Sequence, residues 1–113
     1  MTFARACATT DVKANSAFAT VVDGVPVAVV STDEGWFAIS DECSHAAVPL
    51  SDGDVDDCHL ECYMHGSRFD LRTGIPDALP ATIPVPTYPI TIDGDDVLVD
   101  VDNPNEIPGE LSA

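Results

Sequence analysis

Short apolar–polar alternations separated by tight-turn residues limit this chain to a β-rich fold. Residues 16–22 and 25–31 flank Asp23-Gly24, a dipeptide that tolerates the positive φ angles of a two-residue hairpin. After a second turn at residues 33–35, the aromatic and β-branched residues of segment 36–39 suit a third strand. No segment keeps a helical periodicity over three turns. The sequence therefore predicts an antiparallel meander.

The second half of the chain predicts a return to the same framework after one interruption. Alternation resumes at residues 89–92 and 97–101, which predicts a closing hairpin. Residues 74–89 contain five prolines, and because proline lacks an amide hydrogen we expect a covering loop or an edge strand there. Between residues 41 and 74 the alternation breaks into short polar stretches, and we expect this insertion to lie outside the core. The fold class is therefore all-β with a single insertion.

The charge balance excludes two classes of partner. The 113 residues suit one domain, and 4 Lys plus Arg against 20 Asp plus Glu give a formal net charge of −16. Such a chain repels nucleic-acid phosphates and anionic lipid headgroups, and its apolar runs are far shorter than a bilayer span. The first residues lack the pattern of a secretory signal. We expect a cytoplasmic protein, a monomer, that binds neither nucleic acid nor membrane.

Two cysteine–histidine pairs carry the metal-binding chemistry of the insertion. One residue separates Cys43 from His45, and two residues separate Cys62 from His65. In a reducing compartment, cysteines bind metals more often than they form disulfides. Two thiolates and two imidazoles suit either a tetrahedral zinc ion or a cluster of two irons and two sulfides, so the donor set alone leaves both open.

The surroundings of the two pairs resemble the Rieske iron–sulfur motif. The resemblance rests on Cys43-x-His45, on Cys62-x-x-His65-Gly66-Ser67 and on the Arg-Phe-Asp-Leu-Arg-Thr-Gly run of residues 68–74. It implies one Rieske-type 2Fe-2S cluster, with Cys43 and Cys62 on the inner iron and His45 and His65 on the outer iron. It also implies an antiparallel β-sandwich with a small cluster-binding subdomain. We expect a Rieske domain at residues 1–101, its subdomain at about 41–74 and a flexible tail at 102–113.

Similarity to the soluble Rieske ferredoxins implies a one-electron carrier rather than an enzyme. Such a ferredoxin passes electrons from a flavin-dependent NADH reductase to the terminal non-haem iron oxygenase of a dioxygenase system. The chain has 3 histidines, so two on the cluster leave only His59, too few for a site with two histidines and one carboxylate. Two alternatives stay open: a Rieske ferredoxin that serves cluster assembly or another redox system, and a structural zinc-binding domain.

The remaining thiols and the acidic residues receive weaker interpretations. Cys7 and Cys58 are expected to be small apolar residues and His59 a strand or surface residue, none with a metal-binding role. Acidic residues crowd the insertion, where they form either a solvated loop or a face that steers a basic partner. They are the aspartates of segment 52–57 together with Asp41, Glu42 and Glu61.

Overall fold

The computed structural model describes residues 3–42, 49–56, 58–61, 68–76 and 85–105. These residues contain ten strands in three sheets and two single turns of 3-10 helix, Thr9–Asp11 and Leu50–Asp52. In this part of the chain, neither helix is long and apolar enough to cross a bilayer. In chain order the strands are β1 Ala4–Ala8, β2 Ser16–Val22, β3 Val25–Thr32, β4 Gly35–Ser40, β5 Val55–Asp56, β6 His59–Glu61, β7 Arg68–Asp70, β8 Thr87–Tyr88, β9 Ile90–Asp93 and β10 Asp96–Val99.

Two of the sheets pack face to face and form the predicted sandwich. The central sheet has the strand order β2-β3-β4-β8 and the terminal sheet the order β1-β10-β9, with antiparallel pairing throughout. Val27 and Val29 of β3 meet Val97 and Val99 of β10 in the apolar layer between them. The first strand pairs with the last, so the two ends of the domain close on each other.

The insertion forms a third sheet with a core of its own. Its strand order is β5-β6-β7, and Leu60 of β6 lies opposite Phe69 of β7. Both side chains are fully buried and pack with Leu50 and Leu71 against the outer face of the central sheet. The expectation that residues 41–74 lie outside the core is therefore wrong. Strands of two or three residues turn so few side chains inward that no alternation is recognisable in the sequence.

Strand β3 shows that the central sheet is covered on both faces. Residues 27–30 are all 0% exposed. Val27 and Val29 face the layer shared with the terminal sheet, whereas Ala28 and Val30 face the layer shared with the insertion. A strand that is buried on both faces carries a continuous apolar run instead of an alternation. The Val-Ala-Val-Val run is therefore explained by the packing of the insertion onto the sandwich.

The predicted hairpins are confirmed, with small shifts at their ends. Val22 pairs with Val25 across the Asp23-Gly24 turn, whose two residues have φ angles of 49° and 82°. The predicted third strand is β4, and the predicted closing hairpin is β9 and β10. Within the described part of the proline-rich stretch, Pro86 and Pro89 bracket β8, which is the edge strand of the central sheet as the prolines require.

The first residues of the predicted tail are hydrogen-bonded to the sandwich. The Asn105 backbone N–H donates to the Thr87 carbonyl at 2.8 Å, and its side-chain amide donates to the Thr87 hydroxyl oxygen at 3.2 Å. The buried Asp100 carboxylate accepts from the Asp102 backbone N–H and from the Asn103 side-chain amide, each at 3.0 Å. Residues 106–113 lie outside the described residues, so the flexible tail stays a prediction.

Substitution Leu60→Ala tests the packing of the insertion on the central sheet. Because Leu60 is fully buried between β7 and the central sheet, we expect the free energy of unfolding to fall by about 2–5 kcal/mol. The control Val21→Ala, at a side chain that is 64% exposed, should change it by less than about 0.5 kcal/mol. Urea denaturation followed by circular dichroism measures both. Equal effects would show that the insertion is not packed as described.

Candidate metal centre

The four predicted ligands, Cys43, His45, Cys62 and His65, all lie outside the described residues. They fall in two connecting segments, residues 43–48 (the first segment) and residues 62–67 (the second segment). Among the residues that are described, no group of three or more His, Cys, Asp or Glu side chains is placed to hold a metal ion. The described residues that bear on the candidate centre are those that directly precede and follow these two segments.

Asp41 precedes the first segment and is hydrogen-bonded to Leu50 and Ser51, which follow it. Its Oδ1 atom accepts from the Ser51 backbone N–H at 2.6 Å, and its Oδ2 atom accepts from the Ser51 hydroxyl at 2.9 Å. Its backbone carbonyl accepts from the Leu50 N–H at 3.4 Å, while its own N–H donates to the Pro26 carbonyl at 3.2 Å. The segment thus leaves the end of β4 and returns at a short helix that is bonded back to its starting point.

The second segment connects two paired strands. Glu61 ends β6, Arg68 begins β7, and these two residues are partners in the antiparallel ladder. Two further backbone hydrogen bonds extend the pairing of β6 with its neighbours. The Glu61 N–H donates to the Asp54 carbonyl at 2.8 Å, and the Leu71 N–H donates to the Cys58 carbonyl at 3.0 Å. Both ends of the second segment are therefore fixed by backbone pairing.

Gly53 joins the residues that follow the first segment to the residue that precedes the second. Its N–H donates to the Leu50 carbonyl at 2.9 Å, and a Cβ atom built on Gly53 would overlap the carbonyl oxygen of Glu61. Glu61 directly precedes the second segment, and Leu50 lies two residues after the first. The absence of a side chain at position 53 thus allows the ends of the two segments to lie side by side.

Two residues of the proline-rich stretch, Gly74 and Val85, are hydrogen-bonded to each other near Ser40. Residues 77–84 lie outside the described residues, but the Val85 N–H donates to the Gly74 carbonyl at 2.9 Å. Gly74 has a φ of 78°, and a Cβ atom there would overlap the Val85 carbonyl oxygen. The Ser40 N–H donates to the Pro86 carbonyl at 2.9 Å, directly beside Asp41. The ends of the first segment, of the second segment and of the proline-rich stretch therefore lie near one end of the central sheet.

The two described cysteines are free, buried thiols. Burial raises the pKa of Cys58, and the neighbouring Glu34 carboxylate raises it further. Burial also raises the pKa of Cys7, and the negative charge of Asp11 raises it further. Both side chains lie in the apolar clusters, as expected of small apolar residues, and the raised pKa values favour the neutral thiol over the metal-binding thiolate.

Arg72 holds the far end of the insertion sheet against the β3–β4 turn. Its guanidinium donates to Asp70 Oδ1 at 3.1 Å and to Glu34 Oε1 at 3.3 Å. Burial acts to raise the pKa of Asp70, but the hydrogen bonds and charge of Arg72 outweigh it and the pKa lies below its ordinary value. Asp70 therefore stays ionised near neutral pH and keeps this contact.

The donor set fits a 2Fe-2S cluster. Each of two adjoining segments offers one thiolate and one imidazole, a set that suits two irons bridged by sulfide. When bound, such a cluster supplies a centre that takes up and releases one electron.

Comparison with known proteins gives the family. The Rieske [2Fe-2S] domain profile matches residues 2–89. The biphenyl dioxygenase ferredoxin subunit of Pseudomonas sp. strain KKS102 is 39% identical over 101 residues, which are 88% of this chain and 93% of that one. This chain belongs to the Rieske [2Fe-2S] family.

Solved structures agree with this assignment. The ferredoxin of carbazole 1,9a-dioxygenase from Nocardioides aromaticivorans IC177 superposes with a TM-score of 0.82 at 39% identity, covering 88% of this chain and 97% of that one. A ferredoxin solved in the complex of reduced oxygenase and oxidized ferredoxin in carbazole 1,9a-dioxygenase gives 0.77 at 29% identity, covering 86% and 91%. The predicted sandwich fold, the Rieske-type cluster and the role of electron carrier rather than catalytic subunit are confirmed.

Ser51 and Gly53 were not predicted from the sequence. Neither offers a metal ligand, and their importance lies in contacts with residues 10 and 8 positions away, Asp41 and Glu61. The available signal was the Leu-Ser-Asp-Gly run of residues 50–53, which is typical of a turn.

Substitution Gly53→Ala tests the contact between Gly53 and the Glu61 carbonyl. The added methyl group must push the Glu61 backbone away, and we expect a loss of about 1–3 kcal/mol in the free energy of unfolding together with a reduced iron content. The control Gly94→Ala has nothing within 4 Å of the new atom and only the strain of a φ of 62°. It should keep the full iron content. Equal iron contents in the two variants would contradict the proposed contact.

Proposed function

We propose that this chain is the ferredoxin of a multicomponent oxygenase system. It takes electrons one at a time from a flavin-dependent NADH reductase and delivers them to a terminal non-haem iron oxygenase. The names of the relatives support this, since they are ferredoxin components of dioxygenases, and one neighbour was solved together with its oxygenase. The same relatives give no support to the alternatives of a cluster-assembly ferredoxin or a structural zinc domain.

The proposal assigns the cluster to Cys43 and Cys62 on one iron and to His45 and His65 on the other. The division between the two irons is what the resemblance to the Rieske motif implies. The contact at Gly53 supports a shared site, because it brings the ends of the first and second segments together. Two cysteines in the described part of the chain, Cys7 and Cys58, are buried within apolar clusters instead. All four cysteines thus receive a role from the described contacts or from the motif.

The organisation of the chain follows the same proposal. The Rieske domain occupies residues 1–101, and residues 41–74 are its cluster-binding subdomain, with Asp41 and Gly74 at the two limits. The hydrogen bonds at both limits, from Ser40 to Pro86 and from Val85 to Gly74, support this boundary. We place the protein in the cytoplasm as a monomer that docks its partners at the end of the molecule where the segments meet.

Exposed carboxylates flank the first segment and Gly53 in the chain. Glu42, Asp52 and Asp54, which we call the acidic rim, are exposed and lie within three residues of the first segment or of Gly53. With a net charge of −16, the protein attracts a basic docking face over long range. The acidic rim therefore supports partners whose docking faces are basic.

Metal analysis combined with cysteine variants tests the proposed cluster. We expect about two irons and two acid-labile sulfides per chain. Cys43→Ser and Cys62→Ser should lose them, whereas the controls Cys7→Ala and Cys58→Ala should retain them, because these thiols lie in the apolar clusters. Purified protein that contains zinc in place of iron and sulfide, or retention of the cluster in Cys62→Ser, would refute the proposal.

Salt dependence tests the acidic rim. Stopped-flow reduction of the ferredoxin by the reductase of a biphenyl dioxygenase system should slow by about tenfold between low and high salt. Replacing Glu42 by Gln and Asp52 and Asp54 by Asn should slow the reaction at low salt and flatten this dependence. The control replaces the same number of exposed charges at other turns, Asp33, Asp93 and Asp95, and should keep the slope. A rate that does not respond to salt contradicts docking at the rim.

A further inference from the structure

Among the described residues, Asp41 makes four hydrogen bonds beside the first segment, and its carboxylate makes two of them with Ser51. Both Ser51 donors, the backbone N–H at 2.6 Å and the hydroxyl at 2.9 Å, point at the two carboxylate oxygens. A carboxylate that receives two donors in this way is held in one orientation, and bonds to a charged acceptor are stronger than neutral ones. Asp41 and Ser51 therefore form a buckle across the ends of the first segment.

The Asp41–Ser51 buckle is linked to the residue before the second segment through the helical turn Leu50–Asp52 and Gly53. Ser51 lies in the helical turn Leu50–Asp52, and the Gly53 N–H closes that turn on the Leu50 carbonyl at 2.9 Å. Gly53 in turn lies against the Glu61 carbonyl. An unbroken path of short contacts thus runs from Asp41, two residues before Cys43, to Glu61, one residue before Cys62.

We propose that Asp41 is a positioning residue that sets the separation of the two ligand-bearing segments, and that it does so through its hydrogen bonds to Ser51 and not through its charge. This rests on the proposed assignment of Cys43, His45, Cys62 and His65 as ligands. Loss of the buckle frees the end of the first segment to move relative to the second. The cluster should then be released faster, and the geometry around its irons should become less uniform.

Two substitutions separate hydrogen bonding from charge. Asp41→Ala removes both bonds and the charge. Asp41→Asn removes the charge only, because the amide oxygen can accept from the Ser51 N–H while the amide NH₂ donates to the Ser51 hydroxyl oxygen. Asp52→Asn is the charge control, since Asp52 is an exposed carboxylate in the same helical turn.

Two measurements on the purified holoprotein report the effect. The first is the rate at which an iron chelator bleaches the visible absorption, and the second is the line shape of the paramagnetic resonance spectrum after dithionite reduction. We expect Asp41→Ala to bleach about tenfold faster than the wild type and to show a broadened spectrum. Asp41→Asn and Asp52→Asn should match the wild type in both measurements.

The outcomes distinguish this inference from the proposed function. Bleaching of Asp41→Ala at the wild-type rate overturns the inference, and so does an equal acceleration in all three variants, which would assign the effect to charge. If Asp41→Ala does not fold, Ser51→Ala takes its place, since it loses only the hydroxyl bond and should bleach about threefold faster; a wild-type rate there overturns the inference too. A wild type without iron and sulfide refutes the proposed function instead.

Discussion

Burial of both faces of the central sheet is the constraint on which the rest of the structure depends. One face packs on the terminal sheet and the other on the insertion, so that residues 27–30 of β3 have no exposed side chain. The insertion is too small to bury Leu60 and Phe69 by itself, and it uses the central sheet as the other half of its core. An insertion of this size is therefore held in place by the sandwich beneath it.

The same packing decides where the connecting segments begin and end. β4 runs beneath the insertion and ends at Ser40, from which Asp41 leads to the first segment. The Pro86 carbonyl, which accepts from the Ser40 N–H, marks the return of the proline-rich stretch. β6 and β7 end at Glu61 and Arg68, where the second segment is joined. Segments that leave from paired backbone can hold a centre in a defined geometry, which suits a protein whose task is to accept and release an electron without other chemistry.

Local patterns in the sequence predicted those parts of the fold that depend on neighbouring residues. Asp23-Gly24 specifies its hairpin by itself, and the spacing of Cys62 and His65 with the residues that follow them indicates the family. Strand β1 was missed because its small residues, Ala-Arg-Ala-Cys-Ala, have a low propensity for strands and gain their order from pairing with β10. The insertion sheet was missed because its strands are too short to show a period, and the roles of Asp41 and Gly53 depend on partners eight or more residues away.

The central claim is that two segments, brought together at their bases, jointly hold one diiron cluster through two sulfurs and two imidazole nitrogens. Pulsed paramagnetic resonance of the dithionite-reduced protein at low temperature tests this most directly, because it detects nitrogen nuclei bound to the paramagnetic centre. The account predicts strong coupling to two histidine nitrogens, with one coupling lost when His65 is replaced by cysteine. A signal without nitrogen coupling, or no signal at full iron occupancy, would contradict it.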